Sequence, residues 1–528
     1  MRRVLIAFVI GLAIGCLMIG QVDFLSLSSG VSVPLVGVLI GVMLLLLFVM
    51  FFFHRKRYLY AFSCSAFLFF MVLGSVAFQL KYHFSQSEIS SLAGAHVVQG
   101  VVTKSPQRKT LSLAVEMQTL QGLSFICYLN PNRIEDGMMP EPNIGDTILI
   151  FTKHGLEPSS FLADSTNEFA AYRRYLFLHE IAGTCYAESW RVTKGNPVGL
   201  MAVRHMLRMW LQQLQEIALP IGERDELAVV MAMTTGNKSE LSKELKNQYS
   251  RAGVSHVLAL SGFHLSVIYM LLQIVLLSWV GTDKWRKVAR GLSIIAIWAF
   301  VAVAGFPPSL VRAAIMFSIL LLAQIVRRRV NSVDVLCVTV MVMLCLNPFI
   351  LLDVGFELSV LSMLGLLTIG TWLFGWWTEQ KRKRDCDGWL KWMAGKVADF
   401  IIGSVITTVV CSMMTLPLVS YYFGIVPILS IGSNLVISLL ATALMAVAIV
   451  WWMVSWQPLL SAWVGTGVMG IAALMNKVTL WFSSIDFAVI PWRANGWGVT
   501  MWYSLIVLLF IYGVRYLPTY GNGVGRQK

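Results

Sequence analysis

The chain has 528 residues, of which 57% are hydrophobic and 13% are charged, and its formal net charge is +14. An average soluble domain carries about 25% charged residues, so this composition excludes an ordinary soluble globular protein. None of its eight cysteines forms a C-x-x-C pair, which argues against a zinc ribbon or a thioredoxin-like redox motif.

Three long apolar runs fill the first part of the chain, at residues 4–20, 34–53 and 58–80. About 20 apolar residues cross a bilayer as a helix, so residues 1–80 are predicted to form three membrane spans. Two arginines precede the first run, as in a signal peptide, but no A-x-A-like cleavage site follows it. We therefore expect a retained first helix.

Residues 81–198 are more polar and contain five runs of alternating apolar and polar residues. Such alternation, separated by turn residues, is typical of short strands. Five strands in about a hundred residues predict an inserted small all-β domain resembling an OB barrel. The five runs are 96–104, 110–118, 123–129, 146–153 and 183–192.

Residues 199–219 have apolar side chains at helical spacing with arginine, histidine and glutamine between them. This pattern predicts an amphipathic helix, which either lies on the membrane surface or packs on the neighbouring domain. Residues 220–528 are again mostly apolar and predict a second, larger membrane domain.

Clusters of Lys and Arg orient the predicted spans, because cytoplasmic loops retain positive charge. If every basic cluster lies on the cytoplasmic side of a bacterial inner membrane, both termini are cytoplasmic. Residues 81–198 and 306–308 then lie on the periplasmic side. The path has about twelve spans, with 459–482 as its weakest. The basic clusters lie at 54–57, 284–290, 327–329 and 381–384.

Four motifs follow one another along the larger membrane domain. The first is MTTGNKSELS at 233–242, which continues as AGVSHVLALSGFHL at 252–265. The second is GFPPSLVRAAIM at 305–316, and the third is NPFILLDVGFELS at 347–359. The fourth is TLPLVSYYFG at 415–424, followed by Asn434.

In this order the four motifs resemble those of the ComEC family of competence proteins, and FAAYRRYL at 169–176 resembles that family's amino-terminal domain. The resemblance implies a channel that carries single-stranded DNA into the cytoplasm during natural transformation. It also implies contact with membrane lipid and three partners: a periplasmic DNA-binding protein, a separate nuclease and a cytoplasmic ATP-driven motor. No Walker A motif is present, so we expect no ATP hydrolysis by the chain itself.

Many members of that family carry a C-terminal metallo-β-lactamase-like domain with an H-x-H-x-D-H metal signature. No two of the eight histidines here are separated by one residue. We therefore expect a form that lacks this domain, with no enzymatic activity, no metal and no cofactor.

Polar residues cluster at the start of the apolar run 254–280: His256, Ser261, Gly262 and His264. Polar groups in hydrocarbon are costly unless they face a cavity or a partner, so these are candidates for the DNA path. The alternative is a close contact between helices, which small residues permit. A metal shared by the two histidines is not expected, since they would lie about 12 Å apart along one helix.

Ser309 and Arg312 follow the Pro-Pro pair of the second motif, at the predicted start of a helix. Exposed amides, the helix dipole and an arginine in the first turn favour an anion site, such as a DNA phosphate. The alternative is an ion pair of Arg312 with Asp353 or Glu357, which at i and i+4 are expected to share one helix face.

Thr415, Pro417 and Asn434 are polar or helix-breaking residues within apolar runs and are candidates for the pore or a hinge. The basic cluster 381–384 is either a docking site for the motor or only a topology signal.

Cys127 and Cys185 lie in the third and fifth strand-like runs, which are neighbours in an OB barrel. The periplasm permits disulfides, so the pair is a candidate bridge. The alternative is two buried free thiols.

Two other functions remain open from the sequence. One is a secondary transporter of a small solute with a proton relay of His256, His264, Asp353 and Glu357. The other is an intramembrane enzyme, although the sequence shows no assembled set of nucleophile, base and orienting group.

Overall fold

The structure is a computed structural model that separates into two compact units, one of 1–214 with 337–354 and one of 215–336 with 355–528. The residues it describes are 59–92, 94–103, 106–108, 112–119, 122–132, 142–159, 168–195, 202–203, 206, 209, 224–238, 240–277, 282–382, 389–485 and 488–516. The first two predicted spans and most of the predicted amphipathic helix 199–219 lie outside them.

The first unit begins with a long helix, α1 (Leu59–Leu92). It continues well past residue 80, where the sequence pattern ended the third span, and the first strand begins only at Val97. The polar residues after position 80 therefore extend the helix and do not yet belong to the sheet.

Eight strands form one sheet in the first unit. Seven of them follow the order β6-β7-β4-β3-β1-β5-β8, and β2 pairs with β3. The strands β7 and β8 are consecutive in the chain, yet β7 pairs with β4 and β8 pairs with β5. Their bounds are β1 Val97–Val102, β2 Gln107–Arg108, β3 Leu113–Gln118, β4 Ser124–Leu129, β5 Thr147–Phe151, β6 Glu157–Pro158, β7 Ile181–Tyr186 and β8 Ser189–Thr193.

The inner face of this sheet holds the apolar half of each alternating run. Val115, Phe125 and Ile148 are fully buried there together with Cys127 and Cys185. The two cysteines are direct partners in the parallel pair β4–β7, so the strand neighbourhood predicted for them is confirmed. Both are free thiols in the structure, and the disulfide between them stays a prediction.

A second apolar cluster joins α1 to the short helix α2 (Glu168–Leu178) and to the 3-10 turn Pro348–Leu352. Phe349 is its centre, with ring centroids 5.1 Å from Phe78 and 5.3 Å from Phe177. At the edge of this cluster Glu180 accepts a hydrogen bond from Asn347 at 2.9 Å and pairs with Lys81 at 2.9 Å. The start of the third motif is therefore anchored within the first unit.

The second unit is helical, apart from the short antiparallel pair β9 (Ile425–Pro427) and β10 (Val489–Pro491). The α-helices that follow α2 are α3 Arg224–Thr235, α4 Lys243–Arg251, α5 Gly262–Leu277, α6 Asp283–Val303, α7 Pro308–Ile325, α8 Ser332–Leu346, α9 Val354–Gly365, α10 Thr371–Arg382, α11 Trp389–Phe423, α12 Ser430–Val454, α13 Pro458–Ser483 and α14 Gly496–Tyr516. Of α8, residues 337–346 belong to the first unit and residues 332–336 to the second. A π-helical segment, Leu366–Gly370, connects α9 to α10.

Five helices within the described ranges are long and apolar enough to cross a membrane. One of them is α13, so the weakest predicted span, 459–482, is a continuous helix of 26 residues with the length and composition of a span. Its small residues, among them Ser461 and Gly465, lie on the buried face and lower the apparent hydrophobicity of the run. The five are Pro308–Ile325, Val354–Gln380, Ala398–Phe423, Ser430–Val454 and Pro458–Ser483.

The helices α6 and α7 form a hairpin around the Pro-Pro turn. Pro307 is the N-cap of α7 and Pro308 its first residue, a position that suits proline because its missing N–H has no helical partner there. At the opposite end of the hairpin Arg327 forms an ion pair with Asp283. The basic clusters at 284–290 and 327–329 therefore share one end of the hairpin, as the predicted alternation requires.

We expect Cys127 and Cys185 to form a disulfide when the full-length protein is purified without reductant. Adjacent strands lie about 4.7–4.9 Å apart, within the usual Cα separation of bridged cysteines, about 4.4–6.8 Å. Titration of thiols in denaturant should find two fewer without reductant than with it. Replacing Cys185 by serine should abolish this difference, whereas Cys345→Ser, an exposed position on α8, should leave it intact.

An unchanged thiol count would contradict the bridge. In that case a hydrogen bond with Cys185 and then burial raise the pKa of the Cys127 thiol well above its usual value. Since the thiolate is the reactive form, reduced Cys127 should react slowly with alkylating reagents near pH 7.

Candidate functional site

The start of α5 is built by the pair Ser261 and His264. The backbone N–H of Ser261 donates to His264 Nδ1 at 3.1 Å, and Ser261 Oγ lies 3.1 Å from the same nitrogen. In a capping box, the side chain of the third helical residue accepts from the backbone N–H of the N-cap residue. His264 makes this bond here, in a position where Glu or Gln is usual. The arrangement makes Nδ1 an acceptor, so the neutral ring carries its proton on Nε2.

The imidazole of His264 is 0% exposed, and its Nε2 is a buried atom with no hydrogen-bond partner in the part of the chain that the structure describes. A buried donor of this kind is costly in an apolar surrounding. His264 therefore has one structural nitrogen and one nitrogen available to an acceptor.

His256 is not on the same helix as His264. Residues Ser255–Val257 form a 3-10 turn, and α5 begins only at Gly262. The separation of about 12 Å expected for the two histidines along one helix was wrong, because the Ser261 cap starts a new helix. Among the residues described, no group of three His, Cys, Asp or Glu side chains is arranged to hold a metal ion.

The second motif contacts the first through Ser309, whose Oγ donates to the carbonyl of Leu260 at 2.6 Å. Gly262 faces Ala313, but a β-carbon on Gly262 would lie 3.4 Å from that of Ala313, an ordinary contact. Close helix packing therefore does not require glycine at 262. Glycine is required instead at position 236. Gly236 has φ +78°, and a β-carbon there would lie 2.7 Å from Leu260 Cδ1.

Arg312 is the fifth residue of α7, one turn inside the helix. The sequence analysis placed it in the first turn, but it lies one residue beyond that turn. The difference matters because the effect of the helix dipole is confined to the first turn. The side chain is 3% exposed, and its guanidinium carbon lies 5.6 Å from the ring centroid of Phe356 on α9. A cation over an aromatic face is stabilised there by the ring quadrupole.

Glu357, the fourth residue of α9, accepts a hydrogen bond from the hydroxyl of Tyr422 at 3.1 Å. At least one of the two acids therefore has a partner, as expected. Asp353 precedes α9 with extended backbone and does not share a helix face with Glu357. That prediction was wrong, because the 3-10 turn Pro348–Leu352 ends before α9 starts.

These contacts bring the four motifs together within the second unit. We name the group Leu260, Ser261, His264, Ser309, Arg312, Phe356, Glu357 and Tyr422 the motif junction. Phe356 and Tyr422 were missed in the sequence analysis. Their positions inside the third and fourth motifs were the only available signal.

The remaining candidates lie on α11 and α12. Thr415 and Pro417 are inside α11, and Thr415 Oγ1 donates to the Cys411 carbonyl at 2.9 Å. Asn434 is half-buried on α12. Its neighbour Ser433, which the sequence analysis did not single out, contacts the first motif by donating to the Ala252 carbonyl at 2.6 Å. In the basic cluster, residues 383–384 lie outside the described part of the chain.

The fold defines a helical membrane protein that carries an additional β-sheet domain and a junction of the four motifs between its helices. The family described as "Competence protein" matches residues 233–516, which is more than half of the chain. The chain therefore belongs to the competence protein family.

A relative in this family is ComE operon protein 3 of Bacillus subtilis (strain 168). It is 24% identical over 261 residues, which cover 49% of this chain and 30% of the relative. The chain thus matches less than a third of that relative's length. No solved structure matches the chain significantly.

The capping role of His264 can be tested by two replacements of similar size. His264→Gln keeps an acceptor for the Ser261 N–H and should retain most of the stability, whereas His264→Leu removes it and should lower the free energy of unfolding by about 1 kcal/mol. Unfolding of the detergent-solubilised protein measures both. Equal losses for Gln and Leu would show that the cap contributes nothing.

Proposed function

We propose that this chain is the conduit through which single-stranded DNA crosses the bacterial inner membrane during natural transformation. The observation that carries the proposal is the family match over residues 233–516, which includes every element of the motif junction. In support, the junction contains a buried arginine and a buried imidazole donor. Both are groups that bind phosphate oxygens.

The same junction is compatible with transient contact. Arg312 is held over Phe356, and Glu357 is engaged by Tyr422. The residues that we propose to lie along the path are Ser261, His264, Ser309, Arg312 and Glu357. An ion pair of Arg312 with Glu357 remains the structural alternative for that arginine.

A proton-coupled transporter of a small solute is not favoured. A proton relay of His256, His264, Asp353 and Glu357 was its sequence basis, and here the two histidines lie on different elements, as do the two acids. Family membership also favours DNA uptake.

We further propose that the β domain is an OB-like barrel on the periplasmic side. The pairing of β7 with β4 and of the next strand, β8, with β5 supports this, because two residues of chain connect a strand near one end of the sheet order to the strand at the other end. We propose that membrane lipid surrounds the helical part of the chain and that this part has about twelve spans.

The chain is proposed to act without enzymatic activity of its own. A periplasmic DNA-binding protein, a separate nuclease and a cytoplasmic ATP-driven motor would supply capture, strand degradation and force. The absence of a Walker A motif from the sequence supports the need for a motor.

Deletion of the gene tests the proposal. Cells given labelled duplex DNA should still accumulate label in the periplasm but not in the cytoplasm, and the intact gene should restore entry. Normal cytoplasmic entry in the deletion strain would refute a conduit role.

Arg312→Ala should lower cytoplasmic entry about tenfold or more while periplasmic capture persists, since a charge-assisted phosphate contact is lost. The matched control is Arg327→Ala, an exposed arginine that pairs with Asp283. If Arg312→Ala instead abolishes accumulation of the protein, the structural ion-pair interpretation gains. Restored accumulation in the double variant with Glu357→Gln would then establish that pair, because an unpaired buried charge costs more than a removed pair.

The orientation, with both termini cytoplasmic, can be tested by labelling single introduced cysteines with a membrane-impermeant maleimide in intact spheroplasts. A cysteine replacing Phe306, an exposed residue at the Pro-Pro turn, should react. A cysteine at position 381 should react only after permeabilisation. The reverse pattern would invert the proposed topology.

A further inference from the structure

The helix α11 contains a proline well inside its 35 residues, at Pro417. Proline has no backbone N–H, so the carbonyl four residues earlier, that of Met413, has no helical donor. In hydrocarbon no water replaces the missing donor, and a neighbouring group must satisfy the carbonyl.

Two adjacent residues of α14 reach this turn of α11. Trp502 Nε1 donates to the Met413 carbonyl at 3.1 Å, and the Tyr503 hydroxyl donates to the Met414 carbonyl at 2.8 Å. The tryptophan therefore takes the place of the N–H that Pro417 lacks. The tyrosine binds the next carbonyl along the helix.

A second irregular segment packs on the same turn. A β-carbon on Gly365, the last residue of α9, would lie 2.5 Å from Met414 Cγ, and the π-helical segment begins at the following residue. Within the turn, Thr415 Oγ1 bonds back to the Cys411 carbonyl, an interaction that often bends helices. Proline, π-helical segments and such back-bonding are the usual causes of helix bends.

We infer that residues 413–417 form a hinge in α11 and that Trp502 and Tyr503 are positioning residues that hold it. The part of α11 beyond the hinge carries Tyr422, which binds Glu357 of the motif junction. The bend of α11 thus sets where Tyr422 stands relative to α9. Its effect on DNA passage rests on the proposed function, but the hinge itself does not.

A double-mutant cycle between positions 417 and 502 tests the inference in the full-length protein in detergent. Trp502→Phe removes the donor and keeps an aromatic ring, and it should lower the ratio of folded to unfolded protein about fivefold, the value of one hydrogen bond. Pro417→Ala restores an N–H for the Met413 carbonyl. In that background Trp502→Phe should therefore have little effect.

The matched control is Trp497→Phe on the same helix, where the side chain is 81% exposed, and it should be additive with Pro417→Ala. Equal effects of Trp502→Phe in both backgrounds would overturn the inference. If the Pro417→Ala variant fails to accumulate, hydrogen exchange of the backbone amides 418–423 tests the hinge in its place. Trp502→Phe should speed their exchange about fivefold, and unchanged exchange would overturn the hinge.

These measurements require no DNA, so their outcome is separate from that of the conduit proposal. In cells, Trp502→Phe and Tyr503→Phe should both reduce cytoplasmic DNA entry while Trp497→Phe does not. A hinge that is present in vitro but has no effect on entry would count against its role in passage only.

Discussion

A helix that is interrupted within a membrane must find donors for the carbonyls that the interruption releases, because hydrocarbon supplies none. At three places in the described part of the second unit, a side chain binds a carbonyl next to a helix end or a proline. Ser309 binds the Leu260 carbonyl ahead of α5, and Ser433 binds that of Ala252 after α4. Trp502 binds the Met413 carbonyl that Pro417 releases.

This constraint gives the motifs a physical meaning. Ser309 and Pro417 belong to the motifs, whereas the donors Ser433 and Trp502 lie outside them, and each of the three donors lies far in sequence from the carbonyl that it binds. The motifs thereby join α5, α7, α9 and α11 around Arg312 and Glu357.

Much of this organisation could be predicted from local patterns. Run length identified a membrane protein, Pro307-Pro308 marked a helix start, and period-two alternation located the main strands, including the neighbouring positions of Cys127 and Cys185. These features depend on residues close in sequence, which propensity and periodicity report directly.

What could not be predicted depends on a cap, a short turn and one long-range partner. The cap that His264 provides separates α5 from residues 254–261, although the whole run is apolar enough for one helix. The 3-10 turn before Asp353 removed the helix face expected for it and Glu357. Trp502 looked like any lipid-facing aromatic, since only the folded chain brings it to Met413.

The central claim is that the chain itself provides the path for single-stranded DNA. The most direct measurement uses purified full-length protein in liposomes that contain a DNA-binding dye, with an inside-positive potential and no ATP. The account predicts that single-stranded DNA enters, that duplex DNA does not, and that Arg312→Ala slows entry while Arg327→Ala does not. Dye signals that are equal with and without the protein, or equal for both forms of DNA, would contradict it.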